Sequence, residues 1–241
     1  ATRPIDVSAP EGCLLNAQPP YPTGGRHAIG HFVPGLIFGA LCEAAADKIQ
    51  ADNGMIDLLT VQGTHPDGRP ISTIHFTAGG FGALDGLDGR DCLPGPSNMA
   101  TVPVEIWETI TGMTVVSKKI IPDSGGPGKF RGGMGQEVTL RNDTGSPMTV
   151  LSMANRTEFP ASGYNNGHPG TLREHRINGK IIHPKGAHTL KPADTITLVQ
   201  AGGGGIGDPA ERSKEKVKRD LSLGLISEQA AVRHYGYKIS K

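Results

Sequence analysis

Four consecutive glycines near the carboxyl end of the chain constrain its fold more than any other feature. The run 202–205 follows a β-type segment, 195–200, and leads through Gly207, Asp208 and Pro209 into a charged helical segment. Glycine allows positive φ values and a close approach of neighbouring backbone that a side chain would prevent. The sequence therefore predicts tightly packed backbone between a strand and a helix.

The same run has the spacing of a dinucleotide-binding fingerprint, with glycines at Gly202, Gly204 and Gly207. A Rossmann unit continues into a second strand that ends in an acidic residue about 20 residues later. A helical segment, 227–235, follows here instead. Asp208 also places a carboxylate at the helix start, where a pyrophosphate would bind. The sequence favours a glycine turn that packs a helix against a strand over a phosphate site.

The composition argues against several classes of partner. The 241 residues carry a net charge of +1 and only 5% are aromatic, so neither a basic patch nor a stacking platform for nucleic acid is expected. No apolar run approaches the ~18 residues of a membrane span. Cys13, Cys42 and Cys92 are too far apart for a disulfide framework or a zinc knuckle, which is typical of a reducing compartment. We expect a cytoplasmic protein that binds neither nucleic acid nor membrane.

The apolar pattern predicts an α+β fold with β-rich mixed sheets. Apolar residues at helical spacing predict one long amphipathic helix near the amino terminus, over residues 33–50. Strand patterns bounded by turn residues lie at 56–61, 71–77, 113–121, 136–141, 148–153 and 195–200. Asn178-Gly179 is the strongest hairpin signal because it suits a type I′ turn. Two short helices, 211–221 and 227–235, are predicted to close the chain.

Several further motifs are rich in glycine, proline and charged residues. In chain order they are LNAQPP at 15–20, RH at 26–27, TAGGFG at 77–82, PVE at 103–105, PDSGG at 122–126, GKFRGG at 128–133 and GGGGIGDP at 202–209. In this order they resemble the hydantoinase B family, which also supplies the second half of ATP-dependent 5-oxoprolinases and a large subunit of acetone-type and acetophenone-type carboxylases. Family members are considerably longer. The resemblance therefore implies that residues 1–241 form a single domain, the C-terminal part of a B-type subunit, as a fragment or as one piece of a split subunit.

The resemblance implies a role in an ATP-dependent amidohydrolase of hydantoinase or oxoprolinase type, active only in a complex. A hydantoinase A-type ATP-binding subunit would phosphorylate a cyclic amide, whose ring the B-type subunit would then open. ATP is expected on that partner and a divalent metal on the remaining N-terminal half of the B-type subunit. This chain itself is expected to bind no cofactor and no metal. Two alternatives stay open: a segment of an ATP-dependent ketone carboxylase, and a non-catalytic scaffold segment that docks partner subunits.

The candidate catalytic residues are polar groups in a glycine-rich loop. Asp123, Ser124 and Arg131 lie among five glycines, so that backbone amides and an arginine fork could surround an anionic group. A structural turn, with an arginine that joins two strands, is the alternative interpretation. Lys129 lies in the same segment but does not form a Walker A motif, because Phe130 stands where that motif requires Ser or Thr.

Four further residues are candidates for substrate binding. Arg26 could hold a carboxylate or phosphate with its planar guanidinium, and Asn16 and His27 lie near it in the sequence. Glu105 precedes Glu108 by three residues, so both would share one helical face and could act in acid/base chemistry. The alternatives are a buried salt bridge for Arg26 and a solvated helical face for the two glutamates.

Overall fold

Two antiparallel sheets and five short α-helices make up the fold of the described residues. The computed structural model describes residues 6–23, 26–97 and 99–238. The predicted α+β class is confirmed. The elements in chain order are α1 (Arg26–Gly30), α2 (Phe32–Leu41), β1 (Ile56–Thr64), β2 (Pro70–Ala78), α3 (Val104–Thr111), β3 (Met113–Ile120), β4 (Gln136–Asn142), β5 (Met148–Met153), β6 (Glu174–Ile177), β7 (Lys180–Ile181), β8 (Lys185–Leu190), β9 (Thr195–Val199), a 3₁₀ turn (Pro209–Glu211), α4 (Lys214–Ser222) and α5 (Glu228–Tyr235).

The two sheets enclose the main apolar core. The first has the strand order β2-β1-β5-β8 and the second β3-β4-β9-β6-β7. Every pairing between these strands is antiparallel, and β4 alternates buried with half-buried residues. Leu59 and Val150 from the first sheet pack in one cluster with Leu140 and Leu198 from the second, together with Trp107 of α3. Strands with one face in such a core are expected to alternate in this way.

The amino-terminal helix is shorter than the sequence predicts. It ends at Leu41 and residues 42–48 form turns and bends. The chain is extended by Gln50, which bridges to Leu84, and the N–H of Ala51 donates to Ala83. Because these backbone groups must reach the centre of the fold in an extended conformation, the helix cannot continue to residue 50.

The local turn and cap signals are confirmed. Asn178 and Gly179 have φ values of 48° and 77° between β6 and β7, as a type I′ turn requires. The side chain of Asp208 accepts from the N–H of Ala210 and begins the 3₁₀ turn. Ser213 and Ser227 cap α4 and α5 in the same manner. No helix within the described ranges is long and apolar enough to cross a membrane.

The glycine run 202–205 lies at the centre of a bundle of extended backbone segments, which we call the glycine bundle. The amide N–H groups of Gly203, Gly204 and Gly205 donate to three different residues, and their carbonyl oxygens accept from three others. The partners, in this order, are Gly133, Asp52 and His168 for the N–H groups and Gly126, Ala83 and Tyr164 for the carbonyl groups. Peptide groups that turn to a new neighbour at each residue are typical of an extended helix with three residues per turn.

Close packing, rather than positive φ, explains why this run is glycine. None of residues 202–205 has a positive φ, whereas Gly207 has 75°. A Cβ on Gly203 would lie 2.3 Å from the carbonyl oxygen of Phe81, and one on Gly204 would lie 2.0 Å from that of Ser162. Both obstacles are backbone atoms in the tightly packed segments around the run. Any side chain would therefore force the segments apart.

We expect Gly203→Ala to lower the free energy of unfolding by about 3 kcal/mol or to prevent folding, because the added methyl group overpacks a rigid backbone. Gly30→Ala is the matched control, since apart from its chain neighbours and its own helix no atom of the described residues lies within 4 Å of its Cβ position. Thermal denaturation of the two variants measures the difference. Equal melting temperatures would show that the glycine bundle is looser than these contacts require.

Candidate functional site

The loop with the three predicted catalytic residues lies against the C-terminal helices. Asp123 is exposed and has a φ of 61°. Its N–H donates to the carbonyl oxygen of Leu225, and its carboxylate accepts from the N–H of Ser227 at 2.8 Å. A carboxylate at this position satisfies a backbone donor at the start of α5 and interacts favourably with the positive end of the helix dipole. Asp123 thus fixes the loop to α5.

Ser124 is buried directly beneath this loop. Its hydroxyl donates to the carbonyl oxygen of Ile121 at 2.7 Å and accepts from the N–H of Gly135 at 2.8 Å. A serine hydroxyl has a single proton to donate. In this conformation that proton is held by the backbone, and the geometry supports the structural turn that the sequence left as the alternative.

Arg131 belongs to a partly buried network of charges. Its Nη1 donates to Asp91 at 3.0 Å and its Nε lies 3.2 Å from the carboxylate of Asp220. Arg212 donates to the same Asp220 and to Asp88, each at 2.6 Å. Both guanidinium groups are therefore already paired by carboxylates. We call these five residues the arginine network.

The pKa shifts follow from this pairing. Burial disfavours the ionised form of Asp88, but the hydrogen bonds and charge of Arg212 outweigh burial and hold its pKa below the usual value. Burial also opposes the charge on Arg131, yet Asp220 and Asp91 raise its pKa. Beside them, burial raises the pKa of Tyr235 to about 12. The Asp88 carboxylate and the two arginines therefore stay ionised throughout the physiological pH range.

A groove of about 220 Å³ opens over the arginine network. Lys216 and Arg219 contribute further positive charge to its wall, and the Lys216 ammonium lies 3.5 Å from Asp88. The paired arginines have little freedom to turn toward a ligand. Chemically, the network joins the loop around Asp88 to the C-terminal helices more than it offers a free anion site.

The predicted substrate-binding residues are distributed over two places. Arg26 lines a second groove, of about 430 Å³, at the amino-terminal end of the described chain. Asn16 lies nearby in sequence, where its amide donates to Ala9. Glu105 lies in the first turn of α3, is exposed and is not among the residues that line this groove. The side chain of His27 lies outside the described residues.

The groove beside Arg26 is mainly apolar. Its described wall consists of Gly12, Cys13, Leu14, Ala17, Tyr21, Pro22, Thr23, Arg26 and Ile29. Among these residues the guanidinium of Arg26 is the one charged group, and it also donates to the carbonyl oxygen of Thr23 at 3.4 Å. An apolar groove with one cation at its edge suits a small molecule that has a methylene-rich part and one anionic or carbonyl group.

A buried polar cluster that the sequence did not reveal joins the two sheets. The hydroxyl of Ser152 donates to the carbonyl oxygen of Pro184 at 2.7 Å, so it accepts from Nδ1 of His175, also at 2.7 Å. Nε2 of His175 lies 2.7 Å from the carboxylate of Asp57. This resembles a Ser-His-Asp triad, but all three residues are buried and the serine proton is engaged by a carbonyl oxygen. We call Asp57, Ser152 and His175 the inter-sheet pin, and its geometry is structural.

Arg173 completes the charge balance of this pin. It donates to the carbonyl oxygens of Gly54, Met55 and Ile56 and lies 3.8 Å from Asp57. Burial would raise the pKa of Asp57, but the charges of Arg173 and His175 lower it well below its usual range. Charged residues at inward positions of otherwise apolar strands were the only signal of this cluster in the sequence.

Within residues 6–23, 26–97 and 99–238, no group of three or more His, Cys, Asp or Glu side chains is arranged to hold a metal ion. The predicted locations of ATP on a partner and of a divalent metal on the rest of the B-type polypeptide stay predictions.

Comparison with known proteins gives a consistent picture. The model of the family described as Hydantoinase B/oxoprolinase matches residues 1–209. A protein provisionally named as the B component of a D-/L-hydantoinase, from Pseudomonas sp. strain NS671, is 28% identical over 249 residues, which cover 99% of this chain and 41% of that relative. The beta subunit of the caprolactamase of Pseudomonas jessenii is 28% identical over 250 residues, which cover 95% of this chain and 42% of that relative.

Two solved structures share the fold. The ATP-dependent caprolactamase from Pseudomonas jessenii aligns with a TM-score of 0.75 and 22% identity, over 83% of this chain and 37% of that chain. The nucleotide-free structure of acetone carboxylase gives a TM-score of 0.69 and 21% identity, over 83% and 32% respectively. The chain spans 41% and 42% of the length of the two relatives compared by sequence.

The inter-sheet pin predicts a large effect of one substitution. Asp57→Asn keeps the shape of the side chain but leaves Arg173 and His175 without a buried carboxylate. We expect the free energy of unfolding at neutral pH to fall by about 3–5 kcal/mol, as measured by urea denaturation. Asp143→Asn, which removes an exposed partner of Arg141, is the control and should change the midpoint little.

The lowered pKa of Asp57 predicts that the effect of Asp57→Asn on the free energy of unfolding depends on pH. The folded pKa of Asp57 lies below its unfolded value of 3.8, so its carboxylate contributes stability that is present above that value and is lost as the pH falls through the folded pKa. The difference in unfolding free energy between the native protein and Asp57→Asn should therefore shrink on acidification below pH 3.8. A difference that stays constant from neutral pH to strong acid would contradict this assignment.

Proposed function

Because the chain belongs to the hydantoinase B/oxoprolinase family, we propose that it is part of an ATP-dependent amidohydrolase that opens a cyclic amide. The observation that carries this proposal is the similarity to the beta subunit of caprolactamase, which extends over 95% of the chain. The solved caprolactamase from the same species also shares the fold of this chain. Both named relatives are single subunits, so we further propose that this chain acts only in a complex.

The proposed reaction needs an ATP-binding partner of hydantoinase A type. Phosphorylation of the amide oxygen would convert a poor leaving group into a good one and would couple an unfavourable ring opening to ATP hydrolysis. A divalent metal held by the rest of the B-type polypeptide would activate water or stabilise a developing oxyanion. Neither task is assigned to a described residue of this chain.

We propose that the groove beside Arg26 contributes to substrate binding. Its apolar wall, with Leu14 and Ile29, would contact the methylene groups of a ring, and the Arg26 guanidinium would hold an oxygen of the substrate. Asn16 and His27 are proposed to assist there, and Glu105 is proposed to act from the α3 surface.

The loop 122–133 has two proposed roles, one catalytic and one structural. Asp123, Ser124 and Arg131 remain the proposed catalytic residues of this chain. Their hydrogen bonds to Ser227, Ile121 and Asp91 support a structural role for the loop. Such a role fits the other proposal, in which this chain is a non-catalytic scaffold segment that docks partner subunits.

A second enzymatic function is proposed because acetone carboxylase shares the fold over 83% of this chain. In that case the same complex would join bicarbonate to a ketone. The described residues of this chain fit both functions equally well. The two functions differ in their requirement for bicarbonate.

The deciding experiment measures substrate-dependent ATP hydrolysis by the complete complex. Five-, six- and seven-membered cyclic amides and small ketones are each supplied with and without bicarbonate, and products are identified by mass spectrometry. We expect a cyclic amide to stimulate ATP hydrolysis without bicarbonate and to yield the ring-opened amino acid. Stimulation only by a ketone with bicarbonate would replace the amidohydrolase proposal by the carboxylase proposal.

Arg26→Ala is expected to raise KM for the cyclic amide about tenfold or more, because it removes a charge-assisted hydrogen bond. Arg26→Lys should be intermediate, since lysine keeps the charge but not the planar fork. Arg233→Ala, at an exposed position of α5, is the control and should keep the native KM. An unchanged KM in Arg26→Ala would remove this residue from the substrate site.

A further inference from the structure

Helix α2 is apolar on every side. Its ten residues, FVPGLIFGAL, include no polar side chain, and none of them is buried in the described structure. A helix that is apolar all round is normally enclosed, either in the core of a large protein or in a membrane. Part of the apolar surface of α2 is therefore exposed, although an apolar helix is expected to be buried.

One side of α2 already packs on the rest of the chain. Gly35 and Gly39 are four residues apart and lie on the same helical face. A Cβ at Gly35 would lie 2.7 Å from Oδ1 of Asp52, and one at Gly39 would lie 2.9 Å from the hydroxyl of Tyr164. These two glycines allow the helix to approach the glycine bundle closely.

The opposite side of α2 is open. Leu36, Ile37, Ala40 and Leu41 follow the spacing of one helical stripe and are exposed, with 67%, 51% and 44% of the surface accessible for Leu36, Ile37 and Leu41. We call these four residues the α2 face. It carries no charge.

Helix α1 contacts α2, and the segment before α1 carries further exposed apolar side chains. Leu14, Leu15 and Tyr21 are 73%, 60% and 65% exposed. Leu14 and Tyr21 also line the groove beside Arg26, as does Ile29 of the adjacent helix α1. A cluster of exposed apolar side chains usually marks an interaction site on a folded protein.

We propose that the α2 face is the docking surface for the part of the hydantoinase B-type polypeptide that lies outside these 241 residues. This inference rests on the proposed function. Two relatives match the chain over 95–99% of its length, yet the match covers only 41–42% of theirs. More than half of each of these relatives has no counterpart in this chain, and an uncharged apolar face is typical of a permanent interface. The occupant would also close the open side of the groove beside Arg26.

The test compares two substitutions that place a carboxylate at equally exposed helical positions. Ile37→Asp lies on the α2 face and Val232→Asp lies on α5, where the native side chains are 51% and 53% exposed. The 241-residue chain is mixed with the region that completes the B-type polypeptide in the same organism, and the Kd is measured by isothermal titration calorimetry. Ile37→Asp should weaken association at least about 30-fold, as loss of an interface hot spot does, and Val232→Asp should not change it.

A milder variant and a second measurement guard against misfolding. Leu41→Ser should weaken association in the same direction while each variant alone keeps the native circular dichroism spectrum. In the completed B-type polypeptide, the amides of α2 should exchange with deuterium more slowly than in the 241-residue chain. Equal Kd values for Ile37→Asp and Val232→Asp, or equal exchange in both forms, would overturn the inference.

Two other occupants of the α2 face would be recognised by the same variants. A dimer of the isolated chain, at twice 25.2 kDa by light scattering, that Ile37→Asp dissociates would identify a second copy instead. Binding to phosphatidylcholine vesicles that Ile37→Asp abolishes would identify a membrane surface instead. Either result overturns the inference.

Turnover of the cyclic amide in the same samples separates this inference from the proposed function. Assembly that depends on Ile37, in a complex that opens no cyclic amide, would contradict the function and leave the docking surface in place. Normal assembly and normal turnover of the cyclic amide with Ile37→Asp would contradict the docking surface and leave the proposed function in place.

Discussion

The close approach of backbone to backbone around residues 202–205 is the constraint on which the rest of this structure depends. Three successive amides and three successive carbonyls of Gly203, Gly204 and Gly205 bond to six separate positions of the chain. A Cβ in the run would collide with backbone atoms of the neighbouring segments and break these bonds. The elements beside the glycine bundle, from the end of β9 to the loop that carries Asp123 and Arg131, take their places from it.

Ion pairs between largely buried side chains join the elements that do not pack against the glycine bundle. The inter-sheet pin connects β1 and β5 of the first sheet to β6 of the second, and the arginine network connects the loop at Asp88 to the C-terminal helices. Burying such charges is costly unless each is paired, and here each is. The polar residues that draw attention in the sequence as catalytic are thus largely committed to structure. Arg26 differs from them, because it is exposed at the edge of an apolar groove and donates to the carbonyl oxygen of Thr23 at 3.4 Å.

Local chemistry explains why some elements were predictable. The positive φ values at Asn178 and Gly179, the caps at Asp208, Ser213 and Ser227, and the strand patterns all depend on residues close in sequence. The length of α2 was not predictable in this way, because it is limited by where residues 50–51 must join the glycine bundle. Beyond Leu41, Ile49 is apolar because it is buried in the core, not because it belongs to the helix.

The sequence by itself determined the α+β class, the turns and caps, the family resemblance, and a tightly packed backbone at residues 202–205. These properties depend on residue types and on spacings of a few positions, which act through local sterics and hydrogen bonds. Only the tertiary structure decided that the run needs glycine for close packing, that Asp57 meets His175 across 118 residues, that Arg131 shares Asp220 with Arg212, and that α2 presents an open apolar side. Those facts depend on which distant segments become neighbours, and no local pattern specifies that.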